Sequence, residues 1–273
     1  MSSSTIIPPI EEQFCKEGVD IYQTQYLSHA VVKKFIHPAL IRAWNANNNP
    51  NLKMADLACG EGFYARLFNE VTGGGRAVGI DLSPSMISLA KAIEAKEKKG
   101  LQYAVGDCTQ DLTQLPEVAS LAPFDIVNSV WLLDHASDRA MLKAMATSIA
   151  KLLRPEGATY AILINDKLKN SNYVKLEKYG IFYCSDPKDR EEAYDGKTFP
   201  VKDIEDPSVR PSSSVCIVWT RPTLEQVFQE AGFGRVEFLS FPDIYKPVNQ
   251  YEEEFFKDYL DQPDYMLLKA VKN

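Results

Sequence analysis

The segment Asp56-Leu-Ala58-Cys-Gly60-Glu-Gly62 sets two glycines two residues apart, where a short apolar run gives way to an amphipathic one. A turn from strand into helix leaves backbone N–H groups unpaired, and a ligand can approach them closely only where no Cβ intervenes. Gly60 and Gly62 therefore suit a nucleotide-like cofactor. Asp81 lies nineteen residues beyond Gly62 and can accept hydrogen bonds from both hydroxyls of a ribose. Asp107, in Val105-Gly-Asp-Cys108, can accept one from an adenine amino group or cap the next turn. Asn128-Ser-Val-Trp-Leu-Leu-Asp-His135 follows a further apolar run, where a reacting centre would sit. His135 is a candidate general base titrating near neutrality, with an ordinary helix entry at Asp134-His-Ala-Ser-Asp138 as the alternative.

These residues do chemistry together only if successive strands end at one edge of a sheet. Residues 53–58, 77–80, 101–105, 124–130 and 158–164 read as strands, and helical patterns at 63–71, 85–99 and 139–153 separate them. Ser83-Pro84 is an N-cap with proline in the first turn, and Pro155-Glu-Gly157 is a turn before the fifth strand. Crossovers of this length return the chain parallel. The expectation is an α/β fold, an open and mostly parallel sheet with helices on both faces. Asp81, Asp107 and residues 128–135 then fall at its ligand-binding edge.

At these positions the chain resembles the class I, Rossmann-like S-adenosylmethionine-dependent methyltransferases, whose first motif reads acidic-x-Gly-x-Gly-x-Gly; Ala58 stands here at the first glycine. The resemblance covers residues 53–165. It implies a seven-stranded sheet with an antiparallel C-terminal hairpin, formed by residues 235–241 and 265–271. It implies S-adenosyl-L-methionine as cofactor, S-adenosyl-L-homocysteine as product, and methyl transfer to a small-molecule acceptor. Carried over by position, Asp56 and the turn from Ala58 to Gly62 would face the methionine portion, Asp81 the ribose, and Asp107 with Cys108 the adenine, with Leu82 and Met86 also cofactor contacts. Asn128 would lie under the methionine amino group or sulfonium, and Tyr22 and Tyr26 would belong to a covering helix. Gly60-x-Gly62-x-x-Ala65 followed by Asp81 also fits a dinucleotide fingerprint, so an NAD-dependent oxidoreductase is the alternative, and a noncatalytic S-adenosylmethionine-binding module a third.

The chain divides into an N-terminal helical lid (1–50), a cofactor-binding core (51–165), a substrate-cap insertion (166–214) and the C-terminal part of the sheet (215–273), within one domain of 273 residues. Residues 11–44 carry helical periodicity, which Pro38 should interrupt. The insertion breaks the strand–helix rhythm; with Trp131, its Tyr179, Phe182 and Tyr183 are candidate acceptor contacts, or simply core. Residues 215–219 read as a strand and 223–231 as a helix.

A net charge of −7 argues against a broad phosphate-tracking surface, so no nucleic-acid partner is expected. No apolar run reaches membrane-spanning length, and the first residues lack signal-peptide character, which points to the cytoplasm. Five separated cysteines and three scattered histidines give no metal-ligand spacing. Oligomeric state has no signature in the sequence.

Overall fold

Strand β1 (Lys53–Leu57) divides its side chains between two cores, Met54 on one face and Ala55 and Leu57 on the other, as the two-residue period of a strand requires. The computed structural model describes residues 31–44, 49–167, 179, 182–183, 197–202, 213–239, 241 and 249–273. Four further strands, β2 (Arg76–Asp81), β3 (Gln102–Val105), β4 (Phe124–Val130) and β5 (Leu153–Ile164), extend the sheet in parallel. The small strands β6 (Phe182–Tyr183), β7 (Lys197–Lys202) and β8 (Ser213–Val218) form a separate antiparallel sheet. The chain then returns to the main sheet as β9 (Phe233–Leu239) and β10 (Tyr265–Lys272). The order β3-β2-β1-β4-β5-β10-β9, with β10 antiparallel to both neighbours, is the seven-stranded sheet and closing hairpin expected from the sequence.

Helices cover both faces. On one lie α1 (His37–Trp44), α2 (Phe63–Thr72) and α3 (Pro84–Glu97), together with the late helix described below. On the other lie α4 (Pro116–Ala119), α5 (Arg139–Leu152) and α6 (Arg221–Glu230). Local chemistry fixes their ends. Ser83 Oγ accepts the Met86 N–H at 3.3 Å, Asp138 accepts the Met141 N–H at 2.8 Å, and Gly73, at φ 71°, closes α2.

Several elements depart from the sequence expectations. Pro38 does not stop its helix: a wider π-helical turn, Val32–Ile36, precedes α1, so the N–H that proline lacks falls beside a turn already wound differently. Pro155 and Gly157 lie within β5, where Glu156 takes a left-handed φ of 60° and the register with β4 shifts, so the expected turn is a kink in a longer strand. The strand expected at 215–219 belongs to the small sheet, as β8. Helix α7 (Gln250–Asp261), on the α1 side, had no counterpart; Asn249 caps it, accepting the Glu252 N–H at 2.9 Å, and Phe256 and Tyr259 form its buried stripe. Tyr22 and Tyr26, and most of the expected N-terminal helix, lie outside the described residues.

One packing contact governs the turn after β1. A Cβ on Gly62, at φ +84°, would meet the Tyr103 ring at 2.5 Å, and one on Gly79 would meet the same ring at 2.6 Å. Gly62 is thus required by the aromatic beneath it. Gly62→Ala should cost about 2–5 kcal/mol, from left-handed strain and overpacking, in urea unfolding. Adding Tyr103→Leu should recover the overpacking share; strict additivity of the two changes would refute the contact.

Candidate functional site

The turn from Ala58 to Gly62 leaves the carboxyl end of β1 beside β4, where the chain order of the sheet reverses and ligands gather in open α/β sheets. Cys59 N–H donates to the Ile80 carbonyl and Gly62 N–H to the Cys59 carbonyl, so the turn folds over the end of β2. Arg66 clamps it from α2, donating to the Glu61 carbonyl and, at 2.7 Å, to Glu61 Oε1.

Asp81 bridges two loops. Its Oδ2 accepts the Gly60 N–H and its Oδ1 the Ser83 N–H, each at 2.8 Å. Each oxygen keeps a second lone pair for a ligand hydroxyl. Burial pushes the Asp81 carboxyl above the usual range, against the pull of those two N–H groups. Asp107 caps the next turn, its Oδ1 accepting from Thr109 N–H and Oγ1, both at 2.8 Å, and it also lines the cleft.

A cleft opens at this edge of the sheet. Of the anticipated cofactor set, Ala58, Gly60, Asp81, Leu82, Met86, Asp107 and Cys108 line it, and so do Trp131 and His135. Ser83, Val130, Leu132, Met141 and Met145 line it too. Ala58 and Trp131 hold left-handed backbones, at φ 53° and 57°, a conformation costly for residues with a Cβ.

Three of the anticipated contacts lie behind this wall. Asp56 and Asn128 face each other across β1 and β4, where Asn128 Nδ2 donates to Asp56 Oδ1 at 2.7 Å. They are 1% and 0% exposed, so they brace the turn from beneath and do not touch the cleft, and Gly62 faces Tyr103. Tyr179 is likewise core: its ring stacks on Phe256, and its hydroxyl donates to the Phe255 carbonyl at 2.6 Å. The backbones of Phe182 and Tyr183 form β6.

Burial dominates the electrostatics. It raises the Asp56 carboxyl to about 7 and the Asp134 carboxyl to about 8, although Asp134 receives the Ile164 N–H at the end of β5. It lowers His135 to about 4. At pH 7 that imidazole is neutral and a weak base, which revises the expectation of a base poised near neutrality. The Cys108 thiol, pushed up to about 12, stays protonated.

The Asp56 shift has a thermodynamic sign. Between about 3.8 and 7 the folded protein keeps a proton that the unfolded chain has released, so this group makes stability fall as pH rises through that window. For Asp56→Asn, the Tm relative to wild type should become more favourable from pH 5 to pH 8 in thermal melts. A pH-independent difference would mean that the native carboxyl is ionised throughout.

The sequence of residues 54–157 matches the family model described as "Methyltransferase domain". Among curated proteins, none matches the chain. Solved structures share the fold at low identity. An S-adenosylmethionine-dependent methyltransferase from Clostridium acetobutylicum ATCC 824 aligns at TM-score 0.59 and 13% identity, covering 93% of this chain and 97% of that one. A putative methyltransferase in complex with the Haloferax volcanii Trm112 activator aligns at 0.54 and 18%, covering 94% and 99%. CalS10, an amino pentose methyltransferase from Micromonospora echinaspora solved with S-adenosylmethionine bound, aligns at 0.51 and 16%, covering 86% and 88%. Residues 54–157 thus carry a methyltransferase domain, and the chain as a whole has the sheet order and switch-point cleft of the class I, Rossmann-like S-adenosylmethionine-dependent methyltransferase fold.

Proposed function

We propose that the enzyme methylates a small organic acceptor, and that the cleft beside Asp81 and Asp107 holds the nucleoside of S-adenosylmethionine. One observation carries the assignment of the cleft: two strand-end carboxylates and an apolar wall that includes Leu82, Met86 and Cys108 share a single cavity. Those acceptors and surfaces fit the group. Asp81 has lone pairs left for ribose hydroxyls, Asp107 sits where an adenine amino group would reach, and the apolar side chains suit the faces of a purine. The Gly60 N–H is already committed to Asp81, so the turn contributes shape here more than hydrogen bonds.

Bound S-adenosylmethionine supplies an electrophilic methyl group, so the protein's task is alignment and exclusion of water. Trp131 and His135 follow β4 on the wall of the cleft, and β8 of the small sheet lies against the turn Leu133–His135. This supports a cap role for the segment after β5, over the face where an acceptor would enter. His135, neutral at pH 7, is suited to hold an acceptor by hydrogen bonding and not to titrate during turnover. A small acceptor agrees with a recessed cleft and a net charge of −7, which disfavours nucleic acid. No helix among the described residues is long and apolar enough to cross a membrane.

Three measurements test these assignments. S-adenosylhomocysteine should raise the Tm while NAD does not, and Asp81→Ala should weaken calorimetric binding of S-adenosylhomocysteine at least tenfold; stabilisation by NAD alone would overturn the cofactor. His135→Gln should lower kcat less than tenfold and leave the pH–rate profile between pH 5.5 and 8 unchanged. A loss of about 10²- to 10⁴-fold would make it a general base after all.

A further inference from the structure

A second cavity opens on the same edge of the sheet. It lies at the carboxyl ends of β5 and β9 and the start of β10, where Tyr265 pairs with Ile164 and Leu267 with Leu239. Phe238, Leu260 and Met266 give it an apolar lining, Lys167 and Arg221 are its cations and Asp261 its lining carboxylate, and Arg221 is ion-paired with Asp166.

The two cavities meet at a pair of aromatic rings. Trp131 lines the cofactor cleft, Tyr265 lines the second cavity, and their ring centroids are 6.0 Å apart. Trp131 reaches this place from a left-handed backbone, held by its N–H on the Ile162 carbonyl at 2.9 Å. Such a conformation persists in a bulky residue only where the surroundings impose it.

Arg221 is held ready for an anion. One terminal nitrogen donates to Asp166 Oδ1 and the other to Asn165 Oδ1 at 2.9 Å, while the guanidinium lies 5.6 Å from the centre of the Phe238 ring. A guanidinium has about five N–H donors, so roughly three are left for a ligand, in the planar array that matches a carboxylate. Asn165 is fixed in turn, donating from Nδ2 to the Pro263 carbonyl and from its backbone to the Asp264 carbonyl. Lys167 follows two residues after Asn165, and among the described residues it has no carboxylate partner.

Resting on the methyltransferase reading above, we propose that this cavity seats the carboxylate of the methyl acceptor, which reaches past Trp131 and Tyr265 to the cofactor. Lys167 and Arg221 are then specificity-determining residues, and the acceptor is a small organic acid bearing a nucleophilic hydroxyl, amine or thiol. Its lone pair attacks the methyl carbon as the carbon–sulfur bond breaks. The electron pair of that bond stays on sulfur, giving S-adenosylhomocysteine, and a hydroxyl or thiol acceptor releases its proton to water.

The test uses the full chain with S-adenosylmethionine and a panel of aryl and alkyl hydroxy, amino and thiol acids, each paired with its primary amide. The acids should be methylated, with kcat/KM at least tenfold above the amides. Lys167→Met should raise KM for the acid about tenfold, Lys167→Arg should restore it, and neither should change S-adenosylhomocysteine affinity in calorimetry. Equal turnover of acids and amides, an unmoved KM in Lys167→Met, or no methylation of any acid by protein that binds the cofactor would overturn the proposal. Failure to bind S-adenosylhomocysteine at all would instead overturn the methyltransferase reading on which it rests.

Discussion

Asp81 gives one carboxylate oxygen to the Gly60 N–H and the other to the Ser83 N–H, and its carbonyl receives the Gly106 N–H. Three turns, following β1, β2 and β3, are thereby referred to one residue. The carboxyl is costly to bury, as the direction of its pKa shows, and hydrogen bonds from two rigid backbone donors offset part of that cost. What results is a cleft floor organised before any ligand arrives, with acceptor capacity remaining on both oxygens. The left-handed Ala58 belongs to the same construction, because the turn can meet Asp81 only by passing through a conformation that a glycine would take more readily.

Beneath that floor the protein uses buried polar groups as braces. Asp56 and Asn128 join β1 to β4 under the turn, and Tyr103 fills the space that Gly62 and Gly79 leave open. These contacts determine where the cleft lies without lining it. Residues anticipated together thus do different work: Gly60, Asp81 and Asp107 line the cleft, whereas Asp56, Gly62 and Asn128 hold the scaffold.

Much of this was legible in the sequence, for definite physical reasons. Alternating strand and helix patterns fix a parallel sheet, so acids at the ends of successive strands must converge, and Asp81 and Asp107 do. The division between ligand-facing and bracing residues was not legible, because it depends on pairing register: Asp56 and Asn128 are 72 positions apart and meet only because β1 lies beside β4. Met141 and Met145 stand four residues apart on α5, a spacing that marks a buried stripe but cannot distinguish a core from a cleft wall. Tyr179 shows the converse, an aromatic in an irregular stretch that fills the core. Helix α7 went unread although Asn249 before an acidic first turn is a local helix-entry signature independent of tertiary context.

The position of β10 bears on the order of assembly. This strand lies between β5 and β9, so β9 has no edge to join until residues 265–272 have left the ribosome, although β9 itself is made some thirty residues earlier. The five parallel strands, with Asp81 and its turns among them, need no such wait and can condense during synthesis from neighbouring segments. The cofactor half of the molecule can therefore precede the half that carries Tyr265, and a nascent chain would expose the edge of β5 until the last strand slots in.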